Sequence, residues 1–462
     1  MNRLCFRPVH KVFVLLVIMI PMLQSEGSWA APADLNLGIA VLGGGVSGLT
    51  AARSLKKSGY KNVTVFEKED QVGGKVSSID YDNHHFELGA VWISRDYSVV
   101  RDIAKEVGVS FKDYIIPKLI VEPNGKKTEF TKYFLHKHRM RSVLSALMKF
   151  NSLKHKYATE WDVGFADVHP DLYENFEAFA IKNKIVPLAD LFEPFFVACG
   201  YGYYKEVPAI YIMKLMRMML RVVKHDMLGK FPGVHKAGLL TVEGGFQQIW
   251  TKLAATLDVH TGASVTAIRR KIEAGKPIIE LTINGETQVF DRVVSSLPLP
   301  VLNKILDVSV EEEQLFSKVQ GYDYWVTVFH GQDLAKGETL FLQDNIKSES
   351  IGRPIVLGNR YTDTDIWVTY QLATKNLGAK ELEANLEREI EALGGRVNGV
   401  LTQKKWDYFP YVKTEDLQGG FYKNLERMQG LNGFYYVGGI MNFETTEHTA
   451  EYAKDLVDHK FD

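Results

Sequence analysis

The stretch from residue 37 to residue 67 limits what this chain can fold into more than any other part of it. Leu37-Gly38-Ile39-Ala40-Val41-Leu42 is a short apolar run, Gly43-Gly44-Gly45-Val46-Ser47-Gly48 follows, and Leu49-Thr50-Ala51-Ala52-Arg53-Ser54-Leu55 comes next. The apolar run reads as a parallel strand buried on both faces. The segment behind the turn reads as a helix whose N-terminal amides offer partial positive charge to a phosphate. Gly43 permits the tight turn, Gly45 lets backbone approach a pyrophosphate, and Gly48 lets the helix lie close on the strand. After Gly59, Val63-Thr64-Val65-Phe66 reads as a second strand ending on Glu67, nineteen residues past Gly48. That is the spacing expected of a carboxylate on ribose hydroxyls, and it favours an adenosine without a 2′-phosphate. Together these segments predict an α/β dinucleotide-binding domain.

The turn alone leaves NAD and FAD open. The next segments are Val72-Gly73-Gly74-Lys75 and Phe86-Glu87-Leu88-Gly89-Ala90-Val91-Trp92-Ile93. Further on, Glu243-Gly244-Gly245-Phe246 leads into a helix, Val259 to Ile268 and Asp291 to Pro298 read as strands, and Phe434-Tyr435-Tyr436-Val437-Gly438-Gly439 ends another. Spread over nearly the whole chain, these segments resemble the flavin-containing amine oxidase superfamily. The resemblance implies an FAD-binding Rossmann-like domain with an α+β substrate domain and a helical cap. It implies that Gly43, Gly45, Val46, Ser47, Gly48, Glu67, Lys68, Gly74 and Lys75 surround the dinucleotide, with Lys75 near phosphate. Gly89, Ala90, Val91 and Trp92 would run along the isoalloxazine, Val265 would touch adenine by its backbone, and Gly438 and Gly439 would approach the ribityl chain. The helix containing Thr446 would aim its N-terminus at the flavin pyrimidine edge.

Three stretches are more similar to bacterial polyunsaturated fatty acid isomerases than to amine oxidases. They are Phe196 to Tyr203 with Val207-Pro208-Ala209, Trp406 to Pro410, and Met428-Gln429-Gly430 running on to Met441. In such isomerases, bound FAD takes a hydride from an allylic carbon and returns it elsewhere on the chain, so the net reaction is redox-neutral. The superfamily oxidases usually carry a lysine in the strand facing flavin N5, whereas Tyr322 to Phe329 holds Trp325 and no lysine. The acid common after the C-terminal glycine is absent, since Gly438 is followed by Gly439. The two cysteines are Cys5 and Cys199, so the FAD is expected to be non-covalent, with no C-terminal thiol to attach it. Cys199 lies in an apolar run and reads as buried and inert. Tyr201, Tyr203, Trp325, Tyr408 and Phe443 are candidate walls of a substrate pocket, and they read equally as ordinary core. A flavin hydride acceptor needs no protein nucleophile, and the sequence singles out no catalytic side chain. The candidate activities are therefore a fatty acid double-bond isomerase, a net oxidase or dehydrogenase of an amine or other small apolar substrate, and an FAD-containing binding protein without turnover.

The expected organisation is a discontinuous FAD domain (36–116, 237–300 and 406–462), a mainly helical cap (117–236) and a substrate domain (301–405). With a net charge of −1 over 462 residues, nothing draws the chain as a whole to nucleic acid. Locally, Thr131 to Lys156 carries seven cations, Lys132, Lys137, Arg139, Arg141, Lys149, Lys154 and Lys156, and no acid. Lys214, Arg217, Arg221 and Lys224 recur at helical spacing among apolar residues. They read either as the solvated stripe of a packed cap helix or as a cationic approach for a fatty carboxylate or an anionic membrane surface. His84-His85 and His136-Lys137-His138 lack acid or cysteine partners at ligand spacing, so no metal is expected. At the start, Arg3, Arg7 and Lys11 precede the apolar run Val12 to Leu23, and Ser28-Trp29-Ala30 offers small residues for cleavage. This predicts a signal peptide over 1–30 and export to the periplasm or outside the cell. A single-span anchor is the rival, but the run falls short of the ~20 apolar residues a span requires.

Overall fold

A computed structural model describes residues 34–228 and 237–461 of the chain. The expected signal segment lies outside the described residues.

The glycine turn is the first crossover of a five-stranded parallel sheet. Its strands run in the order Asp258–His260, Asn62–Phe66, Gly38–Leu42, Arg292–Ser295 and Phe434–Tyr436. Ile39 to Leu42 are fully buried, as a central parallel strand covered on both faces requires. Helix Val46–Lys57 covers one face and packs against the helix Thr446–Lys460. The sequence expectation of one strand from Val259 to Ile268 is corrected, because Gly262 turns the chain at φ +62°. Only Asp258–His260 joins the parallel sheet, and Val265–Glu273 opens a separate three-stranded antiparallel sheet.

The second large sheet has seven strands in the order Arg396–Tyr411, Gln320–Gln332, Ile366–Ala373, Val356–Gly358, Thr339–Leu342, Lys118–Val121 and Lys127–Glu129. Two of the expected boundaries move. The segment 118–129, assigned to the cap, is a hairpin on this sheet, joined through parallel pairing of Lys118–Val121 to Thr339–Leu342. Residue 406, assigned to the FAD domain, falls inside the strand Arg396–Tyr411. The cap is helical from Phe130 onward, with Met140–Lys156, Val186–Ala198 and Ala209–Leu228 as its long elements.

Candidate active site

Between the two large sheets lies a cavity of about 1350 Å³. Every residue expected around FAD lines it except Gly48. That glycine serves the packing of helix on strand, since a Cβ there would stand 1.9 Å from the Gly43 carbonyl oxygen. Gly43 itself holds φ +96°, a conformation that glycine adopts at little cost. Behind the turn, Glu67 is buried and accepts from the Gly44 amide at 2.6 Å and the Glu69 amide at 2.9 Å, which fixes its carboxylate at the end of the second strand. The glycine pair returns to the turn through the Gly73 amide, which donates to the Gly44 carbonyl at 2.9 Å.

Gly89 must be glycine for a different reason. Its Cβ would lie 2.0 Å from the Lys75 carbonyl oxygen, and the Ala90 amide donates to that same oxygen at 3.1 Å. The Trp406 indole donates to the Leu88 carbonyl at 2.5 Å and holds the segment from the substrate side. At the C-terminal end, Gly438 has φ +118°, and Thr445 caps helix Thr446–Lys460 by accepting from the His448 amide.

The absence of an acid after Gly438 turns out to be local to the sequence. Glu444 brings its carboxylate back to Gly439, where a Cβ would meet Glu444 Oε2 at 1.8 Å. Its other oxygen pairs with Lys75 Nζ at 2.5 Å, and Lys75 also lies 5.2 Å over the Tyr408 ring. Lys405 faces Trp325 in register on the neighbouring strand, lines the cavity, and pairs with the buried Asp323 at 2.7 Å.

The substrate side is a stack of tyrosines. Tyr324 lies parallel to Tyr408 with ring centroids 5.0 Å apart and to Tyr370 at 5.8 Å, and Tyr201 stacks on Tyr408 at 5.9 Å. The motif Gly200-Tyr201-Gly202 makes room for the strand tyrosines. A Cβ on Gly200 would come within 2.8 Å of Tyr324, and one on Gly202 within 2.5 Å of Tyr322. Of the five aromatic candidates, Tyr201 and Tyr408 line the cavity, and Tyr203, Trp325 and Phe443 do not. Trp325 falls outside, whereas Tyr322, Asp323 and Tyr324 just before it on the strand line the cavity. Tyr203 sits edge-on behind Tyr322, and Phe443 sits behind Tyr201 at 4.8 Å. Cys199 also lines the cavity, and burial pushes its thiol up to about 12, leaving it a neutral wall.

The cationic stripe of helix Ala209–Leu228 is corrected at its first member. Lys214 is buried, donating to the carbonyls of Asp162 and Gly164 and to Asn442 Oδ1, while Arg217 donates to the Trp161 carbonyl. It ties the cap to the C-terminal segment and does not face an approaching ligand. Leu215, Met218 and Met219 of the same helix do line the cavity. The histidines acquire acidic partners from distant segments, Asp363 for His84 and Asp190 for His138, but the described residues contain no group of three metal-ligating side chains.

A model of the flavin containing amine oxidoreductase family matches residues 46–328. The chain belongs to that family. The cradle described above suits FAD: one cavity of about 1350 Å³ is lined by the glycine turn, by Glu67 and by the Gly89–Trp92 and Gly438-Gly439 segments. FAD is the cofactor of this flavoenzyme. The chain is 27% identical to the CLA-producing fatty acid isomerase from P. acnes, whose crystal structure superposes with a TM-score of 0.84 over 93% of this chain and 100% of that one. It is 23% identical to a polyenoic fatty acid isomerase of Ptilota filicina, over 92% and 95% of the two chains. Cyclohexylamine oxidase from Brevibacterium oxydans shares the fold, with a TM-score of 0.63 at 13% identity over 92% of this flavoenzyme and 98% of the oxidase.

Proposed function

We propose that this flavoenzyme is a double-bond isomerase of polyunsaturated fatty acids. The observation that carries the reading is the continuity of one cavity from the FAD cradle into a chamber walled by Cys199, Leu215, Met218, Met219, Val356, Val368 and Tyr370. An extended hydrocarbon fits such a wall, and a small diamine would leave most of it unfilled. Bound FAD supplies a reversible hydride acceptor. The protein's part is to place an allylic carbon over the ring, keep water away and hold the chain still between transfers. The stack of Tyr201, Tyr408 and Tyr324 offers flat apolar surface for that purpose, and the Tyr324 hydroxyl is already committed to the Ala198 carbonyl at 2.5 Å. The likeness to two fatty acid isomerases supports the same reading.

Mixing the holoenzyme with linoleate under air tests it. New conjugated-diene absorption without loss of oxygen is the expected result. Lasting anaerobic bleaching of the flavin, or oxygen uptake, would instead assign a net oxidase or dehydrogenase.

The substrate class gives a reason for contact with a membrane surface, and the site of that contact moves from helix Ala209–Leu228 to helix Met140–Lys156. Met140, Leu144 and Met148 stand at four-residue spacing and are 53%, 51% and 69% exposed. Lys132, Arg139 and Arg141 are exposed around them, and no acid lies between Thr131 and Lys156. An apolar stripe flanked by cations suits an anionic lipid surface. None of the described helices is long and apolar enough to cross a membrane. Export by the segment 1–30 remains part of the proposal, and a fusion of that segment to a reporter enzyme tests it by where the activity accumulates.

A further inference from the structure

Among the described residues, nine buried side-chain nitrogen or oxygen atoms lack a hydrogen-bond partner in acceptable geometry. Three of them, Trp92 Nε1, Thr339 Oγ1 and Arg360 Nη1, belong to residues that line the cavity, and the other six belong to residues that do not. The three come from distant parts of the sequence to one place. The Trp92 ring lies 5.7 Å from that of Tyr114, whose hydroxyl is within weak hydrogen-bonding reach of both Trp92 and Thr339 and feels the charge of Arg360, so a ligand at these two residues competes with Tyr114, and Arg360 Nη1 is the strongest donor left open. Thr339 pairs in register with Gly358, two residues before Arg360. The Arg360 guanidinium lies 5.2 Å over the Tyr361 ring, and its one short side-chain hydrogen bond runs from Nη2 to Thr241 Oγ1 at 2.5 Å.

A buried guanidinium nitrogen without an acceptor is costly unless a ligand supplies one. The carboxylate that faces it, Glu87, is 4.0 Å from Nη1 and is held elsewhere, accepting from Ser78 Oγ at 2.5 Å and from the Phe246 amide at 2.9 Å. Burial raises the Glu87 carboxyl above the ordinary range, which weakens it further as a counter-charge. The cavity therefore has a cationic, donor-rich pole set into largely apolar walls. A planar guanidinium and a carboxylate match in shape as well as charge.

We propose that Arg360, with Thr339 and Trp92, binds the carboxylate of a fatty acid whose hydrocarbon chain lies in the apolar part of the same cavity. Arg360 is then the residue that selects a fatty acid over the alcohol or amine of equal length. The proposal rests on the fatty acid reading for its substrate class but not on turnover, so its test uses a ligand with no double bond to move.

Perturbation of the flavin spectrum is titrated with dodecanoate and with dodecanol, for the holoenzyme and for Arg360→Gln, Arg360→Lys and Thr339→Val. Wild type is expected to prefer the acid, and Arg360→Gln to weaken dodecanoate by roughly tenfold to a hundredfold while leaving dodecanol unchanged. Arg360→Lys recovers part of the preference. A merely structural Arg360 would weaken acid and alcohol together, and that result overturns the proposal, as does unchanged dodecanoate binding in a variant with full FAD content. If Arg360→Gln loses FAD, Thr339→Val decides, because it keeps the shape of the wall: a selective loss of acid binding supports the anchor, and no loss removes it. Wild type that binds neither ligand rejects the fatty acid reading itself, whereas wild type that binds both equally rejects only the anchor.

Discussion

At Gly200 a methyl group would stand 2.8 Å from Tyr324 and 2.9 Å from Tyr408, and the backbone holds φ +83°. Gly200→Ala is therefore expected to push the two rings apart, retaining FAD while losing the fatty acid binding proposed above, and to cost about 1–3 kcal/mol in denaturant unfolding. A second residue-scale prediction concerns Glu451 and His448, neighbours in the C-terminal helix with opposite behaviour. Burial, then the Glu447 carboxylate, push Glu451 up to about 7 against the pull of Lys214, Arg217 and Arg221. Between its ordinary 4.5 and that value only the folded chain holds the proton, so this group makes stability fall as pH rises, by up to about 3 kcal/mol. His448 is held neutral down to about 3 by burial and by Lys214 and Arg217, so it makes stability rise from there to about 6.5 and adds no slope above. Glu451→Gln should melt higher than wild type at about pH 8 and close to it at about pH 4.5, as thermal unfolding followed by flavin fluorescence would register. Most residues lining the glycine-rich end of the cavity were legible in the sequence because backbone demands fall on glycines in sequential order. Glu444 and Arg360 were not, because each acts at a point fixed by distant chain.

The same division holds for whole elements. The parallel strands could be read from their apolar runs, since burial on both faces leaves an unbroken signature. The hairpin 118–129 could not, because its place at the sheet edge depends on pairing with Thr339–Leu342, more than two hundred residues on. The helix Ala209–Leu228 was read correctly as apolar, and its Lys214 misled because a buried lysine with three protein acceptors has the same spacing as one in water. The helix Met140–Lys156 carries the element-scale prediction. Leu144→Asp with Met148→Asp should abolish sedimentation with vesicles containing phosphatidylserine and leave FAD content and activity on dispersed linoleate unchanged. Retained sedimentation would remove the membrane reading.

At the scale of the molecule, cofactor and fold form a single thermodynamic unit. The cavity that would hold FAD lies between the two large sheets, so holoprotein should be more stable than apoprotein by about 2.7 kcal/mol at a free FAD concentration a hundredfold above its Kd. Thermal melts with and without added FAD measure this. The Ser47 hydroxyl at the first turn of the cradle donates to the Thr449 carbonyl, 402 residues along the chain, and Phe434–Tyr436 is the fifth strand of the same sheet. Synthesis thus delivers the glycine turn first and the sheet's fifth strand, with the lining residues Val437 to Gly439 behind it, among the last. A chain still on the ribosome has no finished cradle, and cofactor capture becomes the closing event of biogenesis. If the chain crosses a membrane unfolded, that event takes place on the far side, at whatever FAD concentration prevails there.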